Sequence, residues 1–128
     1  MEMDAKKRVL IVDDEPGILR FVSTALRLAG YDPITTGSGE EALQLAEAQS
    51  PDIILLDILM HPLTGFDVLE RLRTVSRVPV IAVTAQREVA EMALKIGANA
   101  YIIKPFVPDE MLKKINAVLS AQPNEAQD

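Results

Sequence analysis

Three aspartates, a threonine and a lysine are the residues whose types and placement allow chemistry. Asp13 and Asp14 end the apolar run Val9-Leu10-Ile11-Val12, and Asp57 ends Ile53-Ile54-Leu55-Leu56. Thr84 ends Val80-Ile81-Ala82-Val83, and Lys104 follows Ile102-Ile103. Aliphatic residues in a row, without alternation, read as strands buried on both faces. An acid at the end of such a strand is a poor core residue. It is well placed as a site residue, because ligands of open α/β sheets bind beyond the carboxyl ends of the strands. Three carboxylates in one cleft repel each other, so at least one pKa rises unless cations offset the charge. Lys104 supplies one positive charge. An oxygen-only donor set suits Mg²⁺ for the rest. A carboxylate beside a hard cation, a lysine and a hydroxyl can accept a phosphoryl group and form an aspartyl phosphate.

The elements that must position these groups can be read along the chain. The first strand runs from Arg8 to the two acids. Pro16 opens a helix with Ile18, Val22, Ala25, Leu26 and Ala29 at helical spacing, and Gly30 stops it. The second strand is Tyr31 to Thr36, and its Pro33 places it at a sheet edge. Ser38 is the expected cap of a second helix, with Ala42, Leu45, Ala46 and Gln49 inward. Ile53 to Asp57 is the third strand. A loop with Pro62 and Gly65 leads to Thr64 as cap of a third helix, with Phe66, Leu69, Leu72 and Val75 inward. The fourth strand is Val78 to Thr84. Val89, Met92, Ala93 and Ile96 line a fourth helix that Gly97 ends. The fifth strand is Ala100 to Lys104, terminated by Pro105. Pro108 or Asp109 opens a fifth helix, with Leu112, Ile115, Val118 and Leu119 inward. Met3, Met60, Met92 and Met111 form no stripe. Five strand–helix pairs in alternation imply a parallel sheet covered on both faces, of order 2-1-3-4-5. In that order every candidate residue reaches the same edge, around the switch point between strands 1 and 3.

Composition limits the function classes. A chain of 128 residues fits one domain, expected over residues 1–121, with 122–128 a polar tail or the start of a linker. There is no cysteine and one histidine, so neither disulfides nor a structural zinc site is expected. A net charge of −6 disfavours direct nucleic-acid binding and adhesion to anionic membranes. No apolar run approaches a membrane span or a signal peptide, and the expected location is cytoplasmic.

The ordered set Asp13-Asp14, Asp57, Thr84-Ala85 and Lys104-Pro105-Phe106, with these elements between, resembles the receiver domain of two-component response regulators. The resemblance covers Arg8 to Leu119. It implies a flavodoxin-like doubly wound (βα)5 fold. It also implies that Asp57 takes a phosphoryl group from a phosphohistidine of a sensor histidine kinase or a histidine phosphotransfer protein. Mg²⁺ would be held by Asp14, by Asp13 directly or through water, by Asp57 and by the backbone carbonyl of Leu59. Thr84, with Ala85 behind it, and Lys104 would bind phosphoryl oxygens. Tyr101 matches the family's switch aromatic, and the surface of helix 4, strand 5 and helix 5 would change. Leu59 and Gln86 occupy the positions that tune the phosphoryl lifetime, and an apolar Leu59 suggests a long one. The family commonly has Pro four residues after the acceptor; His61 stands there, followed by Pro62.

Taken singly, each residue has a plainer reading. An aspartate can cap a loop, Thr84 can be a strand former, Lys104 a solvated strand end, Tyr101 a half-buried sheet residue, and His61 a surface loop residue. Together on one edge, they favour a site. Two rivals fit less well. A Mg²⁺-dependent hydrolase of the aspartyl-phosphate type has an acid two residues after its nucleophile, where this chain has Leu59. A flavodoxin-like electron carrier needs a hydroxyl- and glycine-rich phosphate loop, where this chain has Asp13-Asp14-Glu15. The expected activity is therefore phosphoryl transfer onto the protein itself, not turnover of a substrate. The output passes to a downstream effector protein or an effector domain beyond these residues. A phosphorylation-dependent homodimer stays open. No charge network is evident across helix 4, strand 5 and helix 5, which weighs against the family's usual transcription-factor dimer.

Overall fold

A computed structural model of the chain describes residues 6–122. Ten elements alternate: β1 (Arg8–Val12), α1 (Pro16–Leu28), β2 (Asp32–Thr36), α2 (Gly39–Gln49), β3 (Ile53–Asp57), α3 (Gly65–Arg73), β4 (Val80–Thr84), α4 (Arg87–Ile96), β5 (Ala100–Ile103) and α5 (Pro108–Ser120). The strands form one parallel sheet in the order β2-β1-β3-β4-β5, as the sequence predicts. β2, with its proline, sits at an edge.

The unbroken apolar runs serve two cores at once, because successive side chains of a strand point to opposite faces. Leu10, Val12, Ile54, Leu56, Val80 and Ala82 pack under α2, α3 and α4. Val9, Ile11, Ile53, Leu55, Ile81 and Val83 pack under α1 and α5. The helix starts follow their cap chemistry. Ser38 accepts from the Glu41 backbone N–H. Thr64 and Asp67 form a reciprocal capping box. α1 and α5 open on Pro16 and Pro108, where a helix needs no N–H donor.

Four residues expected on inner stripes face solvent instead. α1 stops at Leu28, so Ala29 is its exposed cap. Gln49 is the last residue of α2 and is exposed, with its carbonyl taken by Arg8 Nη1 at 2.8 Å. α3 ends at Arg73, which leaves Val75 beyond the helix and 83% exposed. In α4 the buried positions are Ala90 and Ala93, and Met92 lies about 100° around from Ala93 and 53% exposed. Met60 and Met111 are core residues. Strands 1 and 5 stop at the end of their apolar runs, so Asp13, Asp14 and Lys104 fall just past them. Of the expected polar tail, only Gln122 is described; it donates to the Val118 carbonyl at 3.1 Å. Residues 123–128 and Met3 lie outside the described residues.

Arg73 ties down the amino ends of β4 and β5, opposite the candidate site. Its Nε donates to the Gly97 carbonyl at 3.0 Å, Nη1 to the Ser76 carbonyl at 3.3 Å and Nη2 to Asn99 Oδ1 at 3.1 Å. Asn99 Oδ1 also accepts the Val80 N–H at 2.9 Å. The arginine stem lies against Gly97, whose φ of +133° favours glycine. Burial and the neighbouring Arg77 charge lower the Arg73 pKa. Arg73→Ala removes three hydrogen bonds at once. We expect it to cost about 1–3 kcal/mol in urea unfolding with an unchanged m-value.

Candidate functional site

The sheet ladder runs one residue beyond the strands and fixes the site backbone. The Asp13 N–H bonds the Thr36 carbonyl at 3.1 Å, the Ile58 N–H the Val83 carbonyl at 3.1 Å, and the Lys104 N–H the Thr84 carbonyl at 2.9 Å. The residues that follow each strand are therefore held by rigid sheet, while their side chains face the open edge.

Carboxylate oxygens of Asp13, Asp14 and Asp57 lie within 4.8 Å of one another. Asp13 and Asp57 are buried, the latter 7% exposed, and Asp14 is exposed. Lys104 Nζ stands among the acids, 2.9 Å from Asp13 Oδ2 and 3.7 Å from both Asp57 Oδ2 and Glu15 Oε1. Asp13 Oδ1 accepts the Glu15 N–H at 2.9 Å, and Asp57 Oδ1 accepts the Leu59 N–H at 3.3 Å. Burial pushes the Asp57 pKa up, and the Asp13 charge adds to this. Lys104 and the Leu59 N–H oppose the rise, and Asp14 reinforces it. Burial alone lowers the Lys104 pKa, but the hydrogen bond and charge of Asp13, with Asp57 and Glu15, leave it raised.

This is a site short of positive charge. One ammonium faces three clustered carboxylates and a fourth at the rim. The donors are oxygens only, which fits a hard divalent cation and not zinc. Asp13, Asp14 and Asp57 are the side chains that could hold it.

The remaining expected residues surround this cluster. Thr84 is fully buried at the end of β4, next to β3, and its Oγ1 accepts the Gln86 N–H at 3.3 Å. Ala85, Gln86 and Leu59 are exposed, Leu59 on the loop after β3. Tyr101 lies on β5, which pairs with β4, and is half-buried; its hydroxyl accepts from Arg87 Nη1 at 2.9 Å. The Lys104–Pro105 and His61–Pro62 peptide bonds are both cis, and His61 is exposed in its loop. Phe106 packs against Phe21 of α1, with ring centroids 6.4 Å apart.

Sequence reasoning passes over three participants. Glu15 completes the acidic rim, and its place directly after Asp13-Asp14 is a usable signal. Gly65 reads as loop punctuation at the family's usual distance from Asp57, a spacing that gives no hint that it packs on the Asp57 backbone. Arg87 has no signal in the sequence, since its contact spans the distance from α4 to β5.

Comparison with known proteins agrees with this geometry. The family model described as "Response regulator receiver domain" matches residues 9–116. The chain is 42% identical over 121 residues to the "Probable transcriptional regulator ycf27" of Guillardia theta, covering 93% of this chain and 48% of that protein. It is 39% identical over 116 residues to the alkaline phosphatase synthesis transcriptional regulatory protein PhoP of Bacillus subtilis, covering 88% of this chain and 48% of that protein. The chain thus spans about half the length of these curated relatives. The crystal structure of the chemotaxis protein CheY4 of Vibrio cholerae superposes with a TM-score of 0.84 at 34% identity, covering 89% of this chain and 99% of the other. Fold, ordered site residues and relatives agree: the chain belongs to the receiver-domain family of two-component response regulators.

Proposed function

We propose that Asp57 accepts a phosphoryl group from a phosphohistidine and that the chain acts as a phosphorylation switch. The observation that carries this reading is the cluster itself: three carboxylates within 4.8 Å, with Lys104 reaching both buried ones. In the transfer, an Asp57 carboxylate oxygen attacks phosphorus, the phosphorus–nitrogen bond of the donor breaks, and the leaving imidazole takes up a proton. Bound Mg²⁺ supplies positive charge for the phosphoryl oxygens. Asp13, Asp14, Asp57 and the Leu59 carbonyl are the groups to hold it. Lys104 pairs with one phosphoryl oxygen as its neighbouring carboxylate becomes an acyl phosphate. Thr84 donates a hydrogen bond from its hydroxyl to another, with Ala85 leaving room beside it.

The chain works on itself and turns over no separate substrate. Its phosphodonor partner is a sensor histidine kinase or a histidine phosphotransfer protein, which places it in the cytoplasm. No helix among the described residues is long and apolar enough to cross a membrane. Tyr101 follows Thr84 inward, and the face of α4, β5 and α5 carries the state to an effector. Relatives named as transcriptional regulators support an effector that controls transcription, with DNA contact made outside this domain. Leu59 and Gln86 flank the acceptor and set how fast water removes the phosphoryl group.

Incubation with Mg²⁺ and acetyl phosphate, followed by intact mass measurement, tests this. We expect one phosphoryl adduct that is lost on chelation and lost in Asp57→Asn. No adduct in the presence of demonstrable Mg²⁺ binding would overturn the reading in favour of a receiver that docks without phosphorylation.

A further inference from the structure

We infer that Arg87 is a positioning residue that latches Tyr101 in its outward setting and thereby sets how readily this domain switches. The inference rests on the phosphoryl-acceptor reading above and adds a regulatory element to it.

Arg87 is the first residue of α4, three residues after Thr84. Its guanidinium meets the Tyr101 side chain at the hydroxyl end. Nη1 donates to the Tyr101 hydroxyl at 2.9 Å, and Cζ lies 6.0 Å from the ring centroid. Glu88 and Glu91 on the same helix offer carboxylates. Even so, among the described residues Arg87 makes no ion pair. The Tyr101 hydroxyl has no other partner there. The body of the ring packs against the core under α2, α3 and α4. Among the described residues Arg87 is thus the one side chain that holds the polar tip of this ring.

The latch is also tied to the site. The Gln86 N–H donates to Thr84 Oγ1 at 3.3 Å, and the Gln86 carbonyl accepts the Ala90 N–H at 3.0 Å. A Thr84 side chain that moves to a phosphoryl oxygen carries Oγ1 away from the N–H of Gln86, the residue that precedes Arg87. The same event that draws Thr84 inward therefore slackens the grip on Tyr101. One charge-assisted hydrogen bond at a partly exposed position biases the outward setting about three- to ten-fold.

The test uses the full chain carrying Tyr31→Phe, which leaves Tyr101 as the single tyrosine. 3-Fluorotyrosine incorporation then gives one ¹⁹F resonance that reports the ring. The variants are Arg87→Met, which keeps the unbranched stem without the charge, and Arg87→Lys. Beryllofluoride with Mg²⁺ serves as the phosphoryl mimic. In Arg87→Met without mimic, we expect the switched fraction to rise about three- to ten-fold, and the initial rate of phosphorylation by acetyl phosphate to rise with it. Arg87→Lys should fall between the two. A resonance unchanged between wild type and Arg87→Met overturns the latch. A mimic that fails to move the wild-type resonance counts against the phosphoryl reading instead, because the latch is judged only by wild type against Arg87→Met.

Discussion

Asp57→Asn raises the thermal midpoint of the metal-free protein at pH 7, by roughly 3–8 °C on scanning calorimetry for a stability gain of about 1–2 kcal/mol in a domain of this size. Asp57 is buried beside Asp13 and Asp14, and the lysine 3.7 Å away is already engaged by Asp13 at 2.9 Å. Burial and the Asp13 charge therefore hold its pKa above the ordinary aspartate value. The amide keeps the shape and can still accept the Leu59 N–H, but it carries no charge. The pH dependence follows from the direction of the shift. In the folded chain the carboxyl binds its proton more tightly than in the unfolded chain. Below the ordinary value of about 3.9, both forms are protonated and Asp57 costs nothing. As pH rises from there through the raised folded value, the folded state loses stability, and above that value the full penalty stands. The gap between wild type and Asp57→Asn should therefore open over this window and close again toward acid. Mg²⁺ should narrow it from the other direction, by raising the wild-type midpoint more than that of Asp57→Asn. A midpoint lowered by Asp57→Asn at pH 7 would mean that the pair with Lys104 outweighs the repulsion.

That the resting site is unfavourable without a cation explains which parts of it could be read in the sequence. Charges placed at the ends of apolar runs stand out, because nothing in a core calls for them. Asp13, Asp14, Asp57, Thr84 and Lys104 were all visible in this way, and the parallel sheet then brings them to one edge. The sheet order was equally legible, since five unbroken alternations leave few topologies. Helix faces were legible only where the helix length was clear. The spacing puts Val75 inward on a helix that in fact ends at Arg73, and Met92 on a stripe that Ala90 and Ala93 occupy. Both errors share a cause: the register of a short helix depends on where its neighbours' side chains fill space, and small residues mark close approach better than large ones. Arg73 and Arg87 could not be read at all. Each acts through contacts with another element that no local pattern records, and an arginine in a sequence looks like any other solvated charge.

Gly65→Ala should impair the domain more than any other single methyl added at a glycine not already constrained by positive φ. A Cβ at this position would lie 2.5 Å from the Asp57 carbonyl oxygen, 2.5 Å from Ile58 Cα and 3.0 Å from Ile58 Cδ1. The first two are backbone atoms of the strand end that carries the acceptor, so no side-chain rotation relieves the contact. The Gly65 N–H also bonds the Ile58 carbonyl at 2.8 Å, which holds the start of α3 tightly against β3. Either α3 moves away or the Asp57–Ile58 peptide turns. Overpacking of this kind costs about 1–3 kcal/mol, and rigid backbone on both sides puts the expected value at the upper end. The peptide shift also moves the Asp57 carboxylate relative to Lys104 and Asp13. A displacement near 1 Å at a reacting group lowers its rate by about 100-fold. We therefore expect Gly65→Ala to lose stability in urea unfolding and to slow adduct formation with acetyl phosphate by at least ten-fold under conditions where the variant is still folded. Gly17→Ala is the matched control. A Cβ there meets nothing within 4 Å, and the residue sits in the first turn of α1. It should be neutral or stabilising by a few tenths of a kcal/mol, through the unfolded chain alone. If Gly65→Ala matched Gly17→Ala in both stability and rate, the close approach of α3 to the acceptor strand would have no part in holding Asp57 in place.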